Sequence, residues 1–170
     1  MKKICIIGPS GAGKSTFARR LGAALVIPVF HLDQMFWREN WQSIGKDALL
    51  DDSKEVMTTE SAWIIDGNYA DSLPLRLEYA DTVIFLDFPR RIYFPRVIKR
   101  YFQYRGRTRE DMSAGCEEKL DLEFLTFVWN FKRESRPRVI AALAQSSSEF
   151  DLIVLKNPRQ VREFLGLLVK

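Results

Sequence analysis

The stretch "GPSGAGKST", Gly8 to Thr16, constrains what this chain can fold into more than any other part of it. Gly8, four residues, then Gly13, Lys14 and Ser15 satisfy G-x-x-x-x-G-K-[ST] in full. The motif works where a buried strand turns sharply into a helix. Both neighbours comply, with "KICII" before it and "KSTFARRLGAAL" running on from it. Glycines in such a turn admit backbone angles that other residues avoid, so successive N–H groups can converge on phosphate oxygens. The helix N-terminus adds its dipole at the same point. In that arrangement Lys14 reaches the β- and γ-phosphates and the Ser15 hydroxyl meets Mg²⁺. The spacing predicts a nucleoside triphosphate and Mg²⁺ site built from Gly8, Gly11, Ala12, Gly13, Lys14, Ser15 and Thr16.

The rest of the chain supplies the sheet that such a loop needs. Runs rich in Ile, Val and Phe recur at 3–8, 25–30, 62–67, 81–88 and 151–156, each short and mostly continuous rather than alternating. That pattern predicts parallel strands covered on both faces. Helical patterns lie between them at 14–25, 43–60, 89–103 and 117–135. The last carries Leu120, Phe124, Phe127, Val128 and Phe131 at three- and four-residue spacing, which predicts one buried face. Pro89 suits a first helical turn, whereas Pro95 should kink its helix or delay its start. Alternating strands and helices predict a three-layer α/β/α fold with a five-stranded parallel sheet, in one domain over residues 1–170.

Composition narrows the partners. The net charge is +4, from 26 Lys and Arg against 22 Asp and Glu, which is mild for a protein that coats DNA. The excess is local. Arg90, Arg91, Arg96, Lys99, Arg100, Arg105, Arg107 and Arg109 occupy one stretch without an acid among them. Such a cluster reads as a lid over a nucleotide, a nucleic-acid patch or a solvated face. The two cysteines, Cys5 and Cys116, have no ligand spacing, so neither a structural zinc nor a redox pair is expected. No apolar stretch approaches the roughly 20 residues of a membrane span, and the chain reads as cytoplasmic. The last strand ends "LKNPRQ", without the base-reading Asn-Lys-x-Asp of a GTPase, and no strand ends in the paired acids of a motor ATPase.

"DGNY" after the third strand, "DFPRR" after the fourth and the basic segment downstream resemble the adenylate kinase and shikimate kinase group of P-loop kinases. More closely, "HLDQMFW", "WIIDGNY", "LRLEYADTVIFLDFPR" and "YRGRTREDMSAGCEEKLDLEFLTFVWNF" are similar to the bacterial DNA topology modulation (FlaR-like) family, in order from Lys3 to about Leu155. The resemblance implies adenylate-kinase strand order, an acceptor-side helical segment over about 34–61 and a short lid over about 100–116. It implies ATP and Mg²⁺ as cofactors and transfer of the γ-phosphoryl group to a small acceptor, with nucleotides among the candidates. The rival implication, from the family's label, is a nucleotide-dependent regulator of DNA or protein with little catalysis.

The resemblance also assigns roles. Asp33 would take the acceptor's hydroxyl proton or hold Mg²⁺ through water, although a capping role in the turn is open. Asp66 would support Mg²⁺ or Ser15, or cap the turn that follows it. Arg76 would grip an anionic group of the acceptor, or lie on the surface of a short helix. Arg100, Arg105 and Arg109 would act catalytically from the lid, closing over the phosphates. Trp37, with Phe36 and Trp41, would contact the acceptor or pack between helices. His31, the only histidine, reads as a packed or hydrogen-bonding loop residue ahead of a functional one. The chain lacks the Phe-Pro-Arg that follows Asp-Gly in adenylate kinases, having Asn68 and Tyr69 instead, and this argues against an AMP site.

Overall fold

The computed structural model describes residues 1–168. In chain order the elements are β1 (Lys3–Ile7), α1 (Lys14–Leu25), β2 (Val29–His31), α2 (Leu32–Phe36), β3 (Trp37–Arg38), β4 (Gln42–Ser43), α3 (Lys46–Thr59) and β5 (Trp63–Asp66). They continue with α4 (Leu73–Tyr79), β6 (Thr82–Leu86), α5 (Arg90–Tyr104), α6 (Leu122–Asn130), α7 (Ser135–Gln145), β7 (Asp151–Leu155) and α8 (Pro158–Leu168). Five strands form a parallel sheet in the order β2-β5-β1-β6-β7. The first strand of the chain lies in the middle, so the glycine loop after β1 opens at the centre of the carboxyl edge, where open α/β sheets bind ligands.

Burial explains which strands read as continuous apolar runs. Ile4 to Ile7 of β1, Trp63 to Ile65 of β5, and Val83, Ile84 and Leu86 of β6 have no solvent-accessible surface. β7 departs from that pattern. As an edge strand it leaves Leu152 and Val154 partly exposed, so coverage on both faces holds only for the central strands. β2 is also shorter than its apolar run. Val26 caps α1 in a left-handed conformation, its N–H returning to the Gly22 carbonyl, and pairing starts only at Val29.

Two helical expectations change. α5 starts at Arg90, with Pro89 as the extended N-cap, and runs through Pro95 without interruption. Pro95 and Arg91 are both exposed, so water can serve the Arg91 carbonyl that the proline ring leaves without a donor. The pattern over 117–135 divides. Residues 117–121 belong to the preceding loop, and Asp121 caps α6 by accepting the Phe124 N–H at 2.7 Å. Val128 and Phe131 are buried as their spacing predicts, while Phe127 stays exposed. The acceptor-side stretch 34–61 is likewise only partly helical, because "WRENWQS" forms the β3–β4 hairpin. No helix among the described residues is long and apolar enough to cross a membrane.

Candidate active site

The glycine loop is shaped by its neighbours as well as its own angles. A Cβ on Gly11 would lie 2.3 Å from the Tyr93 carbonyl oxygen, so the loop backbone presses against α5. Gly13 has φ +88° and faces open space, which leaves a free concavity at the N-terminus of α1. Beside it lies a cavity of about 320 Å³ whose lining includes Gly13, Thr16, Arg20, Phe88, Arg96 and Pro158. Lys14 donates from Nζ to the Pro9 carbonyl at 3.1 Å. Burial pushes its pKa down, and Arg100 and Arg109 push the same way against Asp66 and Asp33. An ammonium so placed is poorly hydrated and in the field of two guanidiniums, a setting that favours an incoming anion.

Asp66 ends β5 level with Ile6 of β1 and His31 of β2. It accepts the Ser15 hydroxyl at 3.0 Å, and its other carboxylate oxygen is hydrogen-bonded to His31 Nδ1. Hydroxyl and carboxylate oxygens at the start of α1 are the hard donors that Mg²⁺ takes, and one or two protein ligands suffice for it beside phosphates. Burial alone would keep the His31 ring neutral. The hydrogen bond and charge of Asp66, helped by Asp111, overcome that and raise its pKa. A raised histidine pKa stabilises the fold fully below the unfolded value near 6.5, and that contribution fades as pH rises through the folded value. Thermal midpoints measured from pH 6 to pH 9 should therefore fall with rising pH, and His31→Asn should flatten the slope.

Asp33 stands in the first turn of α2, just beyond β2, and accepts the Tyr69 hydroxyl at 2.8 Å. Burial first, and Asp33 second, hold the Tyr69 phenol protonated far above its usual range. Tyr69 continues into a row of rings. Phe36 packs 5.1 Å from Tyr69 and 4.8 Å from Trp37, and Trp37 packs 5.4 Å from Trp41. All four rings are half-buried, and they extend from Asp33 along the hairpin.

The loop after α5 folds down over this edge. Arg100 Nε lies 2.7 Å from Glu118 Oε1, and Arg109 donates to Asp111 at 2.9 Å. Arg109 Nε is also 2.7 Å from Glu118 Oε2, close enough for charge attraction although its N–H is not aligned on the oxygen. Asp111 is buried within reach of the Ser15 hydroxyl and His31; burial would raise its pKa, but Arg109 and Ser15 lower it. The same loop latches onto the acceptor-side hairpin. Ser113 donates to the Gln34 and Trp37 carbonyls, Trp41 Nε1 to the Glu117 carbonyl, and the Cys116 thiol to the Arg38 carbonyl.

Lys14, Ser15, Asp33, Asp66, Arg100 and Arg109 thus come together from separate segments. Arg105 does not join them. It ends α5 in an exposed position, as does Arg107 two residues on, because the tight turn at Gly106 (φ +71°) swings this part of the loop outward. Arg105→Ala should leave turnover within about twofold, as surface substitutions away from special features do, and steady-state kinetics will check it.

Arg76 requires a larger correction. It is neither on the surface nor open to an acceptor, being fully buried beneath the loop after β5. Nη1 donates to the Gly67 carbonyl at 3.2 Å and Nη2 to the Tyr69 carbonyl at 3.1 Å. Its helix turns it inward because Arg76 shares the buried face of α4 with Leu73 and Leu77, while Pro74 and Glu78 face solvent. Burial lowers its pKa, opposed by Cys5 and Asp66. Replacing it by alanine strands two carbonyls and opens a void, so Arg76→Ala should cost about 3 kcal/mol and lower the melting temperature by roughly 6–12 °C in calorimetry.

Residues with no visible role in the sequence also enter the site, namely Tyr69, Asp111 and Glu118. Only the acids' position directly behind the arginine cluster could have pointed to the last two.

No protein-family model matches the chain, and no curated protein sequence matches it. Solved structures do. A shikimate kinase from Acinetobacter baumannii, in complex with shikimate, superposes with a TM-score of 0.61 at 15% identity, over 99% of this chain and 91% of the other. A shikimate kinase from Bacteroides thetaiotaomicron gives 0.55 at 17% identity, over 97% and 94%. At such identities the likeness shows the fold alone, a three-layer α/β/α architecture with a five-stranded parallel sheet.

Proposed function

We propose that this protein is a Mg²⁺-dependent ATP kinase that transfers the γ-phosphoryl group to the hydroxyl of a small acceptor. The observation that carries the reading is the meeting of Lys14, the Ser15–Asp66 pair, Asp33 and the two inward arginines around one glycine loop. Phosphoryl transfer asks little covalent chemistry of a protein. It asks for alignment and for positive charge at the equatorial oxygens.

The division of labour follows from position. The loop amides and Lys14 hold the phosphates, and the base enters the cavity between Thr16, Arg96 and Pro158. Mg²⁺, when bound, neutralises phosphate charge, and Ser15 and Asp66 are the residues that would hold it, with Asp33 the candidate to help through water. Asp33 accepts the acceptor's proton as its oxygen attacks, while Tyr69 fixes the carboxylate's orientation. Arg100 and Arg109 neutralise the transferring group, for which Glu118 and Asp111 must release or share them. ATP and Mg²⁺ incubated with a panel of hydroxyl compounds, following ADP and phosphorylated product together, test the reading. ATP bound tightly with no product from any acceptor would count against it.

A second reading has one observation behind it. Arg91, Arg96, Lys99, Arg105 and Arg107 remain exposed on α5 and the following turn, as a DNA-contacting regulator of the topology modulation type would require. Its affinity for duplex DNA should fall linearly with salt on a logarithmic scale, with a slope set by the phosphates neutralised. Binding that depends on Mg²⁺ and ATP but not on salt belongs to the kinase.

A further inference from the structure

Resting on the kinase reading, we infer that the acceptor is an uncharged, flat-faced hydroxyl compound, of the nucleoside or sugar kind, and that Asn68 helps to select it.

The cations described on the acceptor side of Asp33 already have partners. Arg38, beside Trp37, is exposed and donates to the Met35 carbonyl at 3.3 Å, Lys119 lies 5.4 Å over the Trp41 ring, and Arg76 has both terminal nitrogens occupied by the Gly67 and Tyr69 carbonyls. Lys46, at the start of α3, is exposed and paired with Asp71. Arg100 and Arg109 are engaged by Glu118 and Asp111, and on the kinase reading they serve the phosphates of ATP. What does border Asp33 is the row Tyr69, Phe36, Trp37 and Trp41. Rings of this kind hold flat faces, either bases or the axial C–H faces of sugars, and a carboxylate beside them repels a second anion while accepting from a hydroxyl.

Asn68 adds a second, independent observation. It sits between Gly67 and Tyr69 on the loop that Arg76 pins. Its Oδ1 is buried and has no hydrogen-bond partner among the described residues. A buried amide oxygen without a partner, on a side chain otherwise half-buried, is rare enough to require a reason, and a ligand that completes it is one. The amide's two ends are interchangeable in assignment, and either end reads a neutral hydroxyl or ring substituent. Discrimination of this kind is strong, because a ligand that cannot pair leaves the buried group unsatisfied.

The test is equilibrium binding, followed by the quenching of Trp37 and Trp41 fluorescence and repeated by calorimetry. The protein is saturated with a non-hydrolysable ATP analogue and Mg²⁺. The probes are matched pairs: nucleosides against their 5′-monophosphates, and hexoses against their 6-phosphates and uronic acids. The neutral member of at least one pair should bind ten-fold or more tightly than its charged partner, and which pair responds names the source. Asn68→Ala should weaken that neutral ligand about ten-fold, with the melting temperature and the analogue's affinity unchanged. Charged members binding as well or better, no neutral probe binding, or Asn68→Ala without effect would each overturn the inference. Transfer is not needed for this readout. Failure of the kinase reading shows instead as an ATP analogue that does not bind, or as neutral ligands that bind and are never phosphorylated.

Discussion

Lys14→Ala should lower the rate of phosphoryl transfer by about 10²–10³ while leaving the fold intact. The ammonium is held by a single contact within the protein, the Pro9 carbonyl, and it stands in the field of Arg100 and Arg109. Its lowered pKa reflects burial first; the Asp66 and Asp33 carboxylates oppose that, ahead of the push from the two guanidiniums, so the ammonium of the uncomplexed protein is short of hydration. Such a charge does little for stability until an anion arrives. A phosphate chain supplies that anion, and the lysine's contribution grows as charge shifts toward the β–γ bridge. The expected signature is a lost kcat with a melting temperature that stays put or rises slightly. Single-turnover kinetics and calorimetry on the same preparation separate this from a structural role. A variant that turned over within twofold of the parent, or that melted several degrees lower, would mean that Lys14 serves the loop through Pro9 and not the nucleotide.

The parts of the fold that were legible in the sequence are those governed by local patterns. The strand–loop–helix around Gly8 to Ser15 follows from glycine positions and from apolar residues on either side, and neither needs a distant partner. The buried strands β1, β5 and β6 read clearly because both faces are covered, so their residues are uniformly apolar. The hairpin of β3 and β4 was not legible. Asn40 and Trp41 both take positive φ there, against ordinary preference, and the segment is held by hydrogen bonds from a loop more than seventy residues later. Long-range ties of that kind leave no periodic trace.

The arginines show the same division at the site. The cluster was visible as charge, yet which members turn inward depends on Glu118 and Asp111, which gather Arg100 and Arg109, and on the turn at Gly106, which carries Arg105 away. Arg76 looked like a recognition residue because an arginine near the acceptor edge is chemically suited to anions. Its fate was decided by its place on the face of α4 that buries Leu73 and Leu77, which directs it under the loop, where Gly67 and Tyr69 present carbonyls in need of donors. A sequence records the presence of a guanidinium; the packing decides whether a ligand or the backbone receives it. The latch between the lid loop and the hairpin has a further consequence. Because Ser113 and Glu117 hold residues 34–41, any displacement of the loop after α5 must also move the aromatic row beside Asp33.

Asp33→Asn should cut transfer by about 10²–10⁴ and leave the affinity for an ATP analogue unchanged. The substitution is nearly isosteric, and the asparagine oxygen can still accept the Tyr69 hydroxyl that Asp33 accepts at 2.8 Å. Orientation survives, and charge and basicity are lost. A carboxylate at this place can act in three ways, and each leaves a different trace. As a proton acceptor it lowers kcat alone, and an acceptor with a more acidic hydroxyl should recover part of the loss. As a support for Mg²⁺ through water it also raises the concentration of metal needed for half-maximal rate. As a favourable charge in the first turn of α2 it lowers stability by about 0.3–1 kcal/mol and leaves both kinetic quantities alone. The first outcome is expected, because Tyr69 fixes one carboxylate oxygen while Asp66, not Asp33, is the residue bonded to Ser15. Rates measured across a Mg²⁺ series, with the analogue's affinity and the melting temperature of the same variant, distinguish all three. Equal loss of transfer and of nucleotide affinity would remove Asp33 from the chemistry and return it to the architecture of the loop.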